Sequence, residues 1–122
     1  MTAFRVLLVD DVEQVRRDLR TLLTLSDDLE IIGEAANGLE AVRLTESLQP
    51  DVVLMDLDMP VLDGYEATRQ IKISVPSCRV IALTVHDYPS ARAEAQRSGV
   101  DAFLVKGAPV ETVVQTISKQ KE

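Results

Sequence analysis

The chain has 122 residues, 46% of them hydrophobic, which suits one domain around one buried core. Twenty acidic against 13 basic residues leave a formal charge of −7, which disfavours duplex DNA and anionic membranes as direct partners. One cysteine (Cys78) excludes an internal disulfide, one histidine (His86) excludes a His-cluster metal site, and no apolar run reaches membrane-spanning length.

The first aliphatic run, Arg5–Val9, leads straight into Asp10 and Asp11. Behind it Val12, Val15, Leu19, Leu22 and Leu23 form a helical stripe, with Arg16, Arg17 and Arg20 mostly off it. A second run, Leu29–Ile32, precedes Asn37 and Glu40, whose spacing suits a capping box opening a helix with Ala41, Val42 and Leu48 turned inward. The third run, Asp51–Met55, ends in Asp56 and Asp58, and Asp63 with Glu66 repeats the capping spacing ahead of a third helix. The fourth, Arg79–Leu83, closes with Thr84, and Pro89 suits the first turn of a helix whose apolar residues are only Ala91, Ala93 and Ala95. The fifth, Ala102–Val105, ends at Lys106, and Pro109 suits the first turn of a helix striped by Val110, Val113, Val114 and Ile117. Ser118–Glu122 reads as a fraying helix end or the start of a linker.

Most of the strand runs do not alternate apolar with polar, so both faces of the sheet should be covered by helices. The expected architecture is α/β: a doubly wound five-stranded parallel sheet of order 2-1-3-4-5, a flavodoxin-like (βα)5 domain spanning residues 1–122. In such a sheet the site lies outside the carboxyl ends of the strands, where strands 1 and 3 part.

There the chain places Asp10, Asp11, Asp56 and Asp58. Gathered carboxylates raise one another's pKa values and destabilise the fold unless a cation offsets them. A hard divalent ion, Mg²⁺ (with Mn²⁺ able to substitute), accepts such oxygen ligands. Lys106 adds a point charge and Thr84 a hydroxyl, and the set suits phosphoryl transfer. His86 reads as a solvated loop histidine rather than a catalytic base.

The Asp10-Asp11 pair, Asp56 with Met59-Pro60 and Asp63-Gly64 behind it, Thr84 and Lys106 together resemble the receiver domain of two-component response regulators over essentially the whole chain. Leu83–Asp87 and Lys106-Gly107 resemble its NarL/FixJ (LuxR-type) branch. The resemblance implies a phosphoacceptor at Asp56, served by Thr84 and Lys106. It implies Mg²⁺ held by Asp11, Asp56 and the backbone carbonyl of Asp58, with Asp10 acting through water. Thr84 and Phe103 would be the switch pair, and the side chains of Asp58 and His86 would tune loss of the phosphoryl group. Many receivers carry proline after the lysine. This chain has Gly107, a more permissive residue.

The partners implied are a sensor histidine kinase or phosphotransfer protein, docking near the first helix where Arg16, Arg17 and Arg20 offer a basic face. A homodimer on phosphorylation is also implied, as is a C-terminal DNA-binding domain beyond this chain. The chain itself is expected to be a cytoplasmic phosphoacceptor switch rather than an enzyme, touching neither nucleic acid nor membrane. Two other readings fit less well. A haloacid-dehalogenase-type phosphatase needs its Asp-x-Asp after the first strand, whereas Asp56-Leu57-Asp58 follows the third and Pro60 stands where Thr or Val belongs. A flavin carrier needs a phosphate-cradling loop after the first strand, where this chain has two aspartates.

Overall fold

The computed structural model describes residues 3–119. Five strands and five helices alternate: β1 (Phe4–Val9), α1 (Glu13–Leu23), β2 (Leu29–Ala35), α2 (Gly38–Leu48), β3 (Val52–Met55), α3 (Gly64–Ser74), β4 (Arg79–Thr84), α4 (Pro89–Ser98), β5 (Ala102–Val105) and α5 (Val110–Ser118). All strand pairs are parallel and the order is β2-β1-β3-β4-β5.

Successive residues of the central strands point to opposite faces, and both faces are covered. Leu7, Val9, Val53, Met55, Val80 and Ala82 pack towards Ala41, Ala67, Ile71 and Ala95 of α2, α3 and α4. Val6, Leu8, Val52, Leu54 and Ile81 pack towards Leu23, Val113 and Ile117 of α1 and α5. That double burial is why these runs are aliphatic without alternation. The edge strands differ: β5 is only partly buried throughout, and β2 has buried ends, exposed Glu30 and partly buried residues between.

Both capping spacings become hydrogen bonds. Asn37 Oδ1 accepts from the Glu40 N–H at 2.9 Å, and Asp63 Oδ1 accepts from the Glu66 N–H at 2.9 Å. Three expectations need correction. β2 runs on to Ala35, because its pairing with β1 continues past a register shift between Val6 and Leu7. Pro109 is the N-cap of α5 rather than a first-turn residue, since the helix begins at Val110. On α1, Val15, Leu19 and Leu23 form the inward line at four-residue spacing, while Val12 caps the helix and Leu22 lies off that line, both close to half exposed. The final helix ends at Ser118, and residues 120–122 of the expected fraying tail lie outside the described residues.

Candidate functional site

Strand pairing brings the acidic residues together. The Asp56 N–H donates to the Val9 carbonyl at 3.0 Å and the Asp10 N–H to the Ala35 carbonyl at 3.1 Å, so the residues that follow β1 and β3 lie side by side. Between β4 and β5, the Lys106 N–H donates to the Thr84 carbonyl at 2.8 Å. One end of the sheet therefore carries Asp10, Asp56, Thr84 and Lys106, with Asp11 on the loop into α1. Behind Asp56 the chain passes so close to α3 that a Cβ on Gly64 would collide with the Asp56 carbonyl oxygen and lie 2.6 Å from Leu57 Cα. Glycine is required there for the loop to fold back.

Asp10 and Asp56 are 3% and 4% exposed, whereas Asp11 faces solvent. One carboxylate oxygen from each of the three lies within 4.8 Å of the others. Lys106 Nζ is 2.7 Å from Asp10 Oδ2 and 3.6 Å from Asp56 Oδ2. Three carboxylates against one ammonium leave an excess of negative charge. Burial first, and then the Asp10 charge, push the Asp56 carboxyl up to about 6, against the lowering effects of the Asp58 N–H and Lys106. The Lys106 ammonium moves up too. Burial pulls it down, but the hydrogen bond to Asp10 and the charges of both carboxylates outweigh that. An all-oxygen, net-negative, half-open cluster fits a hard divalent cation.

The surroundings hold these groups in place. Asp10 Oδ1 accepts from the Val12 N–H at 2.9 Å, and Asp56 Oδ1 accepts from the Asp58 N–H at 3.2 Å. Thr84 is buried, and its Oγ1 accepts from the His86 N–H at 3.1 Å. Beside Asp11 a cleft of about 410 Å³ opens between Asp58, Met59 and Tyr65. Gly107 takes φ +94°, a left-handed value that glycine adopts without strain, and its peptide bond with Lys106 is trans.

Phe103 lies farther out, on β5. It is half-buried against the core on the α3–α4 side, and the Arg92 guanidinium carbon sits 4.5 Å from its ring centroid.

Several contacts were not legible in the sequence. His86 is no free loop histidine, since its Nε2 lies 3.1 Å from Asp58 Oδ2 and its ring meets Tyr88 edge-on at 5.8 Å. Arg16 and Arg20 do not form an open basic face with Arg17, because both bend onto Glu34 of β2. Arg16 also donates to the Asp10 carbonyl at 2.6 Å. The Asp58–His86 pair and the pairs with Glu34 join segments that only the folded sheet brings together, so periodicity carries no trace of them.

Known proteins resemble the chain along most of its length. The family described as "Response regulator receiver domain" matches residues 6–118. The transcriptional regulatory protein LnrK of Bacillus subtilis is 38% identical over 113 residues, 93% of this chain and 51% of that protein. The response regulator protein VraR of Staphylococcus epidermidis is 37% identical over 120 residues, 98% of this chain and 57% of that protein. The chain thus spans about half the length of these curated relatives. Among solved structures, a DNA-binding response regulator of the LuxR family from Staphylococcus aureus superposes with a TM-score of 0.87 at 31% identity, covering 93% of this chain and 95% of that one. The response regulator domain of Thermotoga maritima CheB superposes with a TM-score of 0.88 at 31% identity, covering 95% and 94%.

Proposed function

The chain belongs to the response regulator receiver domain family, with its likeness on the NarL/FixJ (LuxR-type) side, and from that membership we propose that Asp56 is its phosphoacceptor. A receiver is a switch domain of two-component signalling. The observation that carries the assignment is the close set of Asp10, Asp11 and Asp56 oxygens with Lys106 Nζ against two of them.

In this reading an Asp56 carboxylate oxygen attacks the phosphorus of a phosphohistidine on a sensor kinase or phosphotransfer protein. The P–O bond forms as the P–N bond breaks, and the imidazole leaves with the electron pair. Asp11, Asp56 and the Asp58 backbone carbonyl would hold Mg²⁺ or Mn²⁺, with Asp10 acting through water. The ion, when bound, neutralises phosphoryl oxygens and orients them for in-line attack. Lys106 exchanges its carboxylate partners for a phosphoryl oxygen, and the Thr84 hydroxyl turns to donate to another. Asp58 and His86, already paired across the mouth of the site, set how readily water reaches the product.

The aspartyl phosphate then biases the face formed by α4, β5 and α5, with Thr84 and Phe103 moving together. Residues 1–122 act as the receiver. In the full-length regulator a C-terminal domain binds DNA, and phosphorylation favours a homodimer. The work of the chain is cytoplasmic. Among the described residues no helix is long and apolar enough to cross a membrane.

Intact mass after incubation with Mg²⁺ and a small acyl phosphate donor tests the assignment. One phosphate adduct is expected on the native chain, and none without metal or in Asp56→Asn. An adduct that persists in Asp56→Asn would show that another residue is the acceptor.

A further inference from the structure

Arg16 lies in α1 but turns inward, with its side chain 15% exposed between the ends of β1 and β2. Its Nη1 donates to the Asp10 carbonyl at 2.6 Å, and its Nε donates to Glu34 Oε1 at 3.0 Å. The other oxygen of Glu34 accepts from Arg20 Nε at 2.7 Å. Chiefly through the hydrogen bond from Arg20, with one from Arg16, the Glu34 carboxyl lies below the usual glutamate range despite partial burial, so it stays ionised as an anchor. The Asp10 N–H in turn donates to the carbonyl of Ala35, the residue after Glu34. Asp10 is thus gripped from β2 on both sides: at its N–H directly, and at its carbonyl through Glu34 and Arg16.

The next residue along is Asp11. Its side chain is exposed, and none of the described residues donates a hydrogen bond to it. Where that carboxylate stands depends on the peptide plane from which it hangs. The Asp10–Asp11 peptide is the plane that Arg16 holds by its carbonyl oxygen.

We propose that Arg16, anchored by Glu34, is a positioning residue for Asp11, fixing the Asp10–Asp11 peptide so that the Asp11 carboxylate stands with those of Asp10 and Asp56. The assignment rests on the reading of this cluster as a divalent-metal site. Arginine suits the task because a planar fork serves two acceptors in different directions at once. A lysine at the same place supplies one point charge to one of them.

Calorimetric Mg²⁺ titration of the native chain, Arg16→Gln, Arg16→Lys and Arg79→Gln measures the effect on the metal. Arg79 is the comparison for stability alone, since it bonds the Thr116 and Ile117 carbonyls from the start of β4, at the opposite end of the sheet. Arg16→Gln is expected to raise the Mg²⁺ dissociation constant about tenfold, as loss of a group supporting a metal ligand commonly does. Arg16→Lys should recover little of this, and Arg79→Gln should leave it unchanged while lowering the melting temperature.

Amide ¹⁵N relaxation without metal reads the same placement independently. The Asp11 order parameter should fall from about 0.85 in the native chain to below about 0.6 in Arg16→Gln. An Asp11 amide as rigid in Arg16→Gln as in the native chain overturns the inference, as does an unchanged dissociation constant. A native chain that binds no Mg²⁺, with Asp11 still loosened in the variant, overturns the metal-site reading but leaves Arg16 as the residue that places Asp11.

Discussion

Asp56 holds its charge under stress. Its carboxyl is almost wholly removed from water and faces the Asp10 carboxylate, and its pKa of about 6 records the cost of ionising it there. The unfolded chain releases that proton near pH 4. Folding therefore favours the protonated form, and the contribution of this group to stability is full below about pH 4 and lost as pH rises to about 6. Asp56→Asn removes the penalty while keeping the shape. In metal-free buffer at pH 7 we expect it to be more stable than the native chain by roughly 1–3 kcal/mol. The gap should open between about pH 4 and pH 6 and stay level above that. Urea unfolding at several pH values measures it, and an equal midpoint at pH 7 would mean that Lys106 already neutralises the cluster. This placement was legible in the sequence because an aspartate directly after an aliphatic strand has only the strand's end to occupy. The Asp58–His86 pair was not, because each sits on a loop whose course depends on the strands on either side of it.

At the scale of elements, α4 stands apart in how it is held. It buries only Ala91, Ala95 and Ser98, and small side chains withdraw little apolar area from water. Polar ties make up for this. Arg69 of α3 reaches Glu94 Oε2 at 3.2 Å and Ser98 Oγ at 3.1 Å. Arg92 bonds Asp87 at 2.6 Å while lying over the Phe103 ring. Such ties break at low cost, because solvent screens exposed ion pairs and cation–π contacts. Arg92 thus links the β4–α4 loop to the aromatic proposed as a switch.

Arg92→Ala should loosen Phe103 and α4 together, because it removes both the pair with Asp87 and the cation over the ring. Hydrogen exchange is the measure: amides of residues 89–105 should exchange several-fold faster in the variant, while those of α2 and α3 keep their rates. Uniform acceleration across the chain would instead mark Arg92 as a contributor to global stability. The poverty of α4 in apolar residues was legible from Ala91, Ala93 and Ala95 alone. The ion pairs that compensate for it come from α3 and the preceding loop, and no spacing within α4 foretells them. The inward turn of Arg16 and Arg20 escaped for the same reason, since their partner Glu34 belongs to another strand.

For the whole molecule, the order β2-β1-β3-β4-β5 is what makes a site out of scattered residues. It sets β1 beside β3 although β2 and two helices separate them along the chain, and that adjacency brings Asp10 and Asp11 to Asp56. The order was legible because five regular strand–helix repeats with non-alternating strands leave few ways to cover both faces of a sheet. It also dictates how metal binding should register. The carboxylates follow β1 and β3, two interior strands of the sheet that end in fully buried residues, so ligand binding at their ends stabilises the native chain against global unfolding rather than against fraying of an edge. Mg²⁺ at ten times its dissociation constant adds about 1.4 kcal/mol, worth about 5 °C in melting temperature for a chain of this size. Because the net charge is −7, simple screening by salt also relieves repulsion, so the comparison belongs at matched ionic strength with Na⁺ replacing Mg²⁺. Under those conditions the gain should survive in Arg79→Gln and vanish in Asp11→Ala. Equal gains from Na⁺ and Mg²⁺, or a full gain in Asp11→Ala, would reduce the cluster to a general acidic patch and remove the ground for placing a divalent ion there.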